Sequence, residues 1–166
     1  MASVLVQTAD AVVAVLNDSA HGFTQPFTAE RSYAEWDLPL DDSVEPGRLY
    51  CDVVPRQGMT CEPESRGYLR YRPSVAIVFR KKFKLEDART DNGRLILSAV
   101  DELIALLEQV NEVLAGELLA DFTVAGETAH WDQSETEQIY MQEHIRKHNQ
   151  FTGVLIVPYT SSKAVA

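Results

Sequence analysis

His144 and His148 stand four residues apart with Glu143 beside them, and on a helix that spacing puts both imidazoles on one face. Cys51 and Cys61 add two more side chains of the type that binds zinc. The chemistry such a set would do is hydrolysis by a metal-activated water. Residue order argues against it. A zinc-hydrolase helix reads His-Glu-x-x-His, whereas this chain reads Glu-His-x-x-x-His, which misplaces the base. The expectation is therefore histidines at a surface or an interface, with no metal and no cofactor. A small metal-dependent hydrolase using Glu143, His144 and His148 stands as the rival from another functional class.

Carboxylates gather at Asp41, Asp42 and Glu45, with Glu35 and Asp37 nearby. Paired carboxylates do acid–base work only when held rigidly. Here Pro39 and Pro46 bracket the cluster, so a solvated loop is expected. There is no Gly-x-Ser-x-Gly elbow and no Gly-rich phosphate loop, so nucleophilic catalysis has no support. The chain is expected not to be an enzyme. The cations are unevenly spread: Arg66, Arg70, Arg72, Arg80, Lys81, Lys82 and Lys84 are seven of the fifteen basic residues. Three readings stay open: contact with nucleic acid, although aromatic residues are sparse among them; contact with the acidic surface of a neighbouring copy; or charge protecting an exposed strand edge.

The elements that position these residues can be read from periodicity. Leu5, Thr8, Ala9, Val12, Val15 and Leu16 share one helical face, with Ser3 as N-cap and Asn17, Asp18 and Gly22 as stop signals. Tyr33 to Leu38 reads as an irregular strand ending at Pro39, and Leu49 to Val53 as a strand stopped at Pro55. Arg56 to Arg66 reads as a hairpin tip or an arm, and Tyr68 to Phe83 as a third, internal strand. The strongest signal is the stripe Ile96, Val100, Leu103, Leu107, Val110, Leu114, widened by Ala99, Leu106 and Val113. It predicts a long helix capped by Asp91 or Asn92 and ended by Gly116, packed on a sheet rather than in a coiled coil. A short strand at Phe122–Ala125, an acidic loop at 126–137 holding His130 and Trp131, a helical turn near Gln142–Lys147 and a closing strand Phe151–Tyr159 complete the chain. The expected architecture is α+β: one domain over 1–159, with a mainly antiparallel four-stranded sheet packed against two main helices, and a loose tail over 160–166.

Bulk properties set the limits. The 166 residues are 45% hydrophobic and 24% charged, ordinary for a globular domain. No apolar run nears the roughly 20 residues that span a bilayer, and the N-terminus lacks a basic leader with Asp10 inside its apolar stretch, so folding in the cytoplasm is expected. Two cysteines make no disulfide framework, and reduced thiols are expected. The formal charge of −10 disfavours tight binding of phosphate backbones.

Phe27-Thr28-Ala29-Glu30-Arg31-Ser32-Tyr33, the Val53-Val54-Pro55 strand end, the Val75–Lys82 strand, the amphipathic helix and Phe151-Thr152-Gly153-Val154-Leu155-Ile156-Val157 together resemble the small neck and tail-completion proteins of long-tailed bacteriophages, of the tail-terminator kind. The resemblance spans about residues 4 to 159 and is carried by order, length and short apolar motifs. It implies an α+β virion subunit that forms a sixfold homo-oligomeric ring in the neck. The ring would cap the tail tube protein, stop its polymerisation and dock the head connector or stopper protein, while genomic DNA passes through without specific binding. A head-completion protein is the alternative within that class. Lateral contacts would then join the basic Arg66, Arg70, Arg72, Arg80, Lys81 and Lys82 to the acidic Asp37, Asp41, Asp42 and Glu135 of the next copy. Reversal of Arg80, Lys81 and Lys82 is expected to block ring closure without unfolding the monomer.

Overall fold

The computed structural model describes residues 3–33, 35–84, 97–116, 119–124, 127–131 and 140–164. Among the described residues, three α-helices, α1 (Val4–Leu16), α2 (Leu97–Gly116) and α3 (Gln142–His148), and a short 3-10 turn at Ser19–His21 accompany eight strands. The strands are β1 (Ala29–Arg31), β2 (Leu49–Pro55), β3 (Thr60–Ser65), β4 (Tyr68–Arg72), β5 (Ser74–Lys82), β6 (Leu119–Val124), β7 (Glu127–Trp131) and β8 (Gln150–Ala164). The fold is mixed α+β, and every strand pairing except parallel β1–β2 is antiparallel.

α1 forms because Val4, Thr8, Ala9, Ala11, Val12 and Leu16 give it one buried face. Thr8 is tolerated there because its hydroxyl donates to the Val4 carbonyl at 2.8 Å, so no polar group is buried unpaired. Asn17 ends the helix and anchors the next segment. Its side chain donates to the Ala29 carbonyl and accepts from the Ala29 N–H, at 2.9 and 2.8 Å. That pair of bonds sets β1 alongside β2. α2 buries Val100, Leu103, Leu106, Leu107, Val110 and Leu114 and lies on the sheet, with Leu107 against the backbone of Gly153 in β8. The sheet-packing reading of its stripe holds, while Ile96 and the cap at Asp91 or Asn92 lie outside the described residues. Gly116 is the last helical residue rather than the residue after it.

β5 is the centre of the body. It pairs with β2 from Leu49↔Lys81 to Pro55↔Val75 and with β8 from Lys82↔Gln150 to Ser74↔Pro158. Period two then sorts the side chains. Val53, Val75, Ile77, Phe79, Phe151, Leu155, Val157 and Tyr159 join the helices in the main core. Val54, Ala76, Val78 and Val154 form a smaller cluster on the opposite, outer face, covered by Trp36 and Met141.

Several expectations need correction. The strand expected at Tyr33–Leu38 is a loop, and the strand lies earlier, at β1. Trp36 is the reason: packing it on the outer-face cluster bends the chain over the sheet, with Leu38 N–H bonded to the Glu35 carbonyl. The single strand expected from Tyr68 to Phe83 is broken at Pro73 into β4 and β5, because proline offers no N–H to a ladder. The acidic loop expected at 126–137 contains β7, and the tail expected from Thr160 is ordered strand as far as Ala164. The sheet therefore has eight strands rather than four. Three of the expected four remain as β2, β5 and β8, and the other five strands are the hairpin β3–β4, β1 and the pair β6–β7.

β8 carries two functions in the sheet. Its first part pairs with β5, and its end pairs with β4 from Tyr71↔Ser161 to Tyr68↔Ala164. β3 pairs with the other edge of β4. The result is a three-stranded arm, β3–β4–β8, that continues the body sheet past Pro73. All six β3 residues are exposed.

Candidate functional site

Two places gather polar side chains: the arm with the basic strand below it, and the outer face beneath the loop 35–42. In the arm, the sequence order produces a charge ladder. Glu62 and Glu64 alternate along β3 and Arg70 and Arg72 along β4, so the Arg66-Gly67 turn brings both pairs to one face. Arg70 pairs with Glu64 at 2.7 Å and Arg72 with Glu62 at 3.2 Å. Glu64 also accepts from the Ser162 hydroxyl of β8, which fastens all three strands. That hydroxyl, and then Arg70, holds the Glu64 carboxyl below the usual glutamate range, while Glu64 raises Arg70. The sequence reading missed these acidic partners. The mirrored i, i+2 alternation about the turn is the signal that finds them.

Lower on the strand the pattern repeats. Arg80 meets Asp52 on β2 at 2.6 Å, with side chains 12% and 19% exposed. Lys82 donates to the Asp41 carbonyl at 2.8 Å and to the exposed Asp42 carboxylate at 2.9 Å. Lys81 reaches Gln25 at 3.4 Å. Asp41 is held below the ordinary aspartate range by the backbone N–H and hydroxyl of Ser43, with a lesser contribution from Lys82. So Arg70, Arg72, Arg80, Lys82 and Asp42, expected to wait for a neighbouring copy, meet partners within their own chain. Glu135 lies outside the described residues. The triple reversal of Arg80, Lys81 and Lys82 loses its clean meaning as a result. A glutamate at 80 would face Asp52 in a half-buried site, and unpairing such a charge costs on the order of 3 kcal/mol of fold stability. Arg66 remains at the arm's turn, and among the described residues it makes no ion pair.

Under the loop 35–42 runs a buried polar chain. Gln150 and Thr152 are fully buried, His144 nearly so. Gln150 accepts from the Leu40 N–H at 2.8 Å and donates through its amide to the Thr152 hydroxyl at 2.7 Å. His144 Nδ1 lies 2.8 Å from that hydroxyl and Nε2 lies 3.0 Å from the Asp37 carbonyl. A carbonyl only accepts, so the proton sits on Nε2, and the Thr152 O–H donates to Nδ1. Every member is then satisfied, and the chain ties the loop to β8 and α3.

This geometry bears on the histidine pair. Both ring nitrogens of His144 are engaged within the fold, and His148 meets it ring edge to ring face, centroids 5.8 Å apart. Glu143 pairs with Lys147, which lowers its carboxyl below the usual range. Among the described residues no three His, Cys, Asp or Glu side chains converge as metal ligands would. Cys51 is buried on β2, and burial pushes its thiol well above the usual range, whereas Cys61 is exposed on β3. The two cysteines therefore sit on different strands and form no bridge.

Beside the loop opens a cleft of about 470 Å³ lined by Tyr33, Trp36, Val54 and Pro55, with Glu35, Asp37, Arg56 and Gln57 completing it. Tyr33 is 70% exposed at its mouth. Compared with models of known protein families and with curated proteins, the chain matches none. No described helix is long and apolar enough to cross a membrane.

Proposed function

We propose that the chain is a structural subunit of a long-tailed bacteriophage neck, a tail terminator. It assembles as a homohexameric ring that caps the tail tube, stops its polymerisation and joins it to the head connector or stopper. The reading rests on the sequence resemblance, and the observation that favours it most is the arm. The three-stranded ribbon presents a wholly exposed outer strand, an edge open to a neighbouring chain. It is the type of feature an assembly protein extends to a neighbour.

Charge supports the same reading. Six copies at −10 each total about −60, a field that repels DNA phosphates and keeps a passing genome from sticking. The hydrolase reading has less support, since His144 is committed to Thr152 and Asp37. In this reading the protein resides in the neck of the virion and passes through the host cytoplasm before assembly.

Native mass spectrometry of the untagged protein over a wide concentration range tests the proposal. A species at six times 18.6 kDa is expected, either alone or on purified tail tubes. A chain that stays monomeric in both settings overturns it.

A further inference from the structure

The tip of the arm and the cleft at its base match each other in chemistry but are held apart in one molecule. The tip is the turn Arg66-Gly67 leading into Tyr68, where Gly67 has φ +86 and so takes a conformation that side-chain-bearing residues resist. Tyr68 is 45% exposed, a large aromatic ring at the end of a projecting element. Along β3 and β4 the remaining charges are compensated, because Arg70 and Arg72 pair with Glu62 and Glu64. Arg66, which makes no ion pair among the described residues, therefore brings a cation at the turn itself.

The cleft presents the complement. Its walls are Tyr33, Trp36, Val54 and Pro55, apolar and aromatic surface at the outer end of β2. Its carboxylates, Glu35 and Asp37, make no ion pair among the described residues and outnumber the one cation there, Arg56. Pro55 pairs with Val75, and Tyr68 precedes Val75 by seven residues. At about 3.3 Å per residue the tip lies up to about 23 Å along the ribbon from its own cleft, and the pairing of β4 with β3 and β8 holds it there.

We propose that the Arg66-Gly67-Tyr68 turn of one copy docks in the Tyr33–Trp36–Pro55 cleft of the next. The Tyr68 ring enters the apolar cleft, and Arg66 meets Glu35 and Asp37. Tip and cleft are different surfaces, so the contact is head-to-tail, and it closes into a ring when the rotation per copy is right. This inference rests on the ring reading and specifies its lateral contact.

The experiment uses the full chain. Arg66→Glu with Tyr68→Ala, both at exposed hairpin positions, is compared with wild type by light scattering across concentration, with circular dichroism confirming the fold. Association is expected to weaken by about tenfold or more, the loss typical of a central interface contact. Adding Glu35→Arg and Asp37→Arg to Arg66→Glu is expected to restore it. Independently, Gln57→Cys with Tyr68→Cys in a Cys61→Ser background is expected to give a ladder of disulfide-linked multimers under mild oxidation. Wild-type association that Arg66→Glu with Tyr68→Ala leaves unchanged, or the absence of that ladder, overturns the arm contact while the ring reading stands. A wild-type chain that is monomeric alone and on tail tubes overturns both.

Discussion

At the scale of single residues, two positions carry sharp structural demands. A Cβ on Gly153 would lie 2.5 Å from a Leu107 methyl and 2.8 Å from the Phe151 ring, so α2 lies against bare backbone there. Gly153→Ala is expected to destabilise the fold by about 1–3 kcal/mol, read as a lower urea midpoint with an unchanged slope. The demand on His144 is for hydrogen bonds rather than space. His144→Ala strips the Asp37 carbonyl of its donor and the Thr152 hydroxyl of its acceptor, at a cost of about 1–3 kcal/mol. It should also loosen the loop carrying Trp36. In a Trp131→Phe background, Trp36 emission should then shift to the red before global unfolding, and a single concerted transition would count against this role. The two histidines were visible in the sequence, but the role of His144 was not. Its partners are a main-chain carbonyl far upstream and a threonine in a strand, and neither leaves a mark at helical spacing.

At the scale of elements, the arm should respond to pH earlier than the body. Glu64 has its carboxyl lowered by Ser162 and Arg70. A folded-state value below the unfolded one gives stabilisation that is full above the ordinary glutamate range and lost as pH falls through the folded value. Protection factors in β3 and at the end of β8, taken relative to the slower intrinsic exchange in acid, should therefore fall on acidification while those of β5 hold, and equal change across both would refute the separation. Element types were legible wherever periodicity was unmixed. The stripe in α2 gave a helix against a sheet, and Val75–Phe79 gave an internal strand. The segment from Tyr33 to Leu38 alternates like a strand, yet Trp36 is drawn to a sheet face formed by residues elsewhere in the chain, and tertiary packing wins. The expected strand runs through Pro73, although a proline offers no N–H to a ladder, whereas Gly67 among polar residues marks the turn before Tyr68. Polar composition over Arg56–Arg66 leaves a hairpin tip and an arm both open, because cross-strand ion pairs turn polar residues into a formed ribbon only once the register is known.

At the scale of the whole molecule, charge and shape point the same way. A chain of net charge −10, with most of its strand cations paired internally, offers little to a phosphate backbone. Filter binding at physiological salt should therefore retain no DNA, and micromolar retention that falls steeply with salt would instead reveal a nucleic-acid surface. The site was partly legible at this scale. The basic and acidic segments were found as groups, but proximity within one chain reassigned most of them from contacts between copies to contacts within a copy. Arg66 at the tip of the arm and Glu35 and Asp37 at the cleft make no ion pair among the described residues.

The double duty of β8 has a consequence for how the chain is made. β5 acquires one partner, β2, early in synthesis, but its other edge waits for Gln150–Pro158. Until those residues emerge from the ribosome, Val75 to Phe79 border an open edge, and the arm lacks the strand that fastens it. Folding must therefore close a long chain loop late, which makes it slow and leaves nascent chains sticky. Equally, a half-made chain has no fastened arm to present. The arm is thus complete only after the last strand is in place.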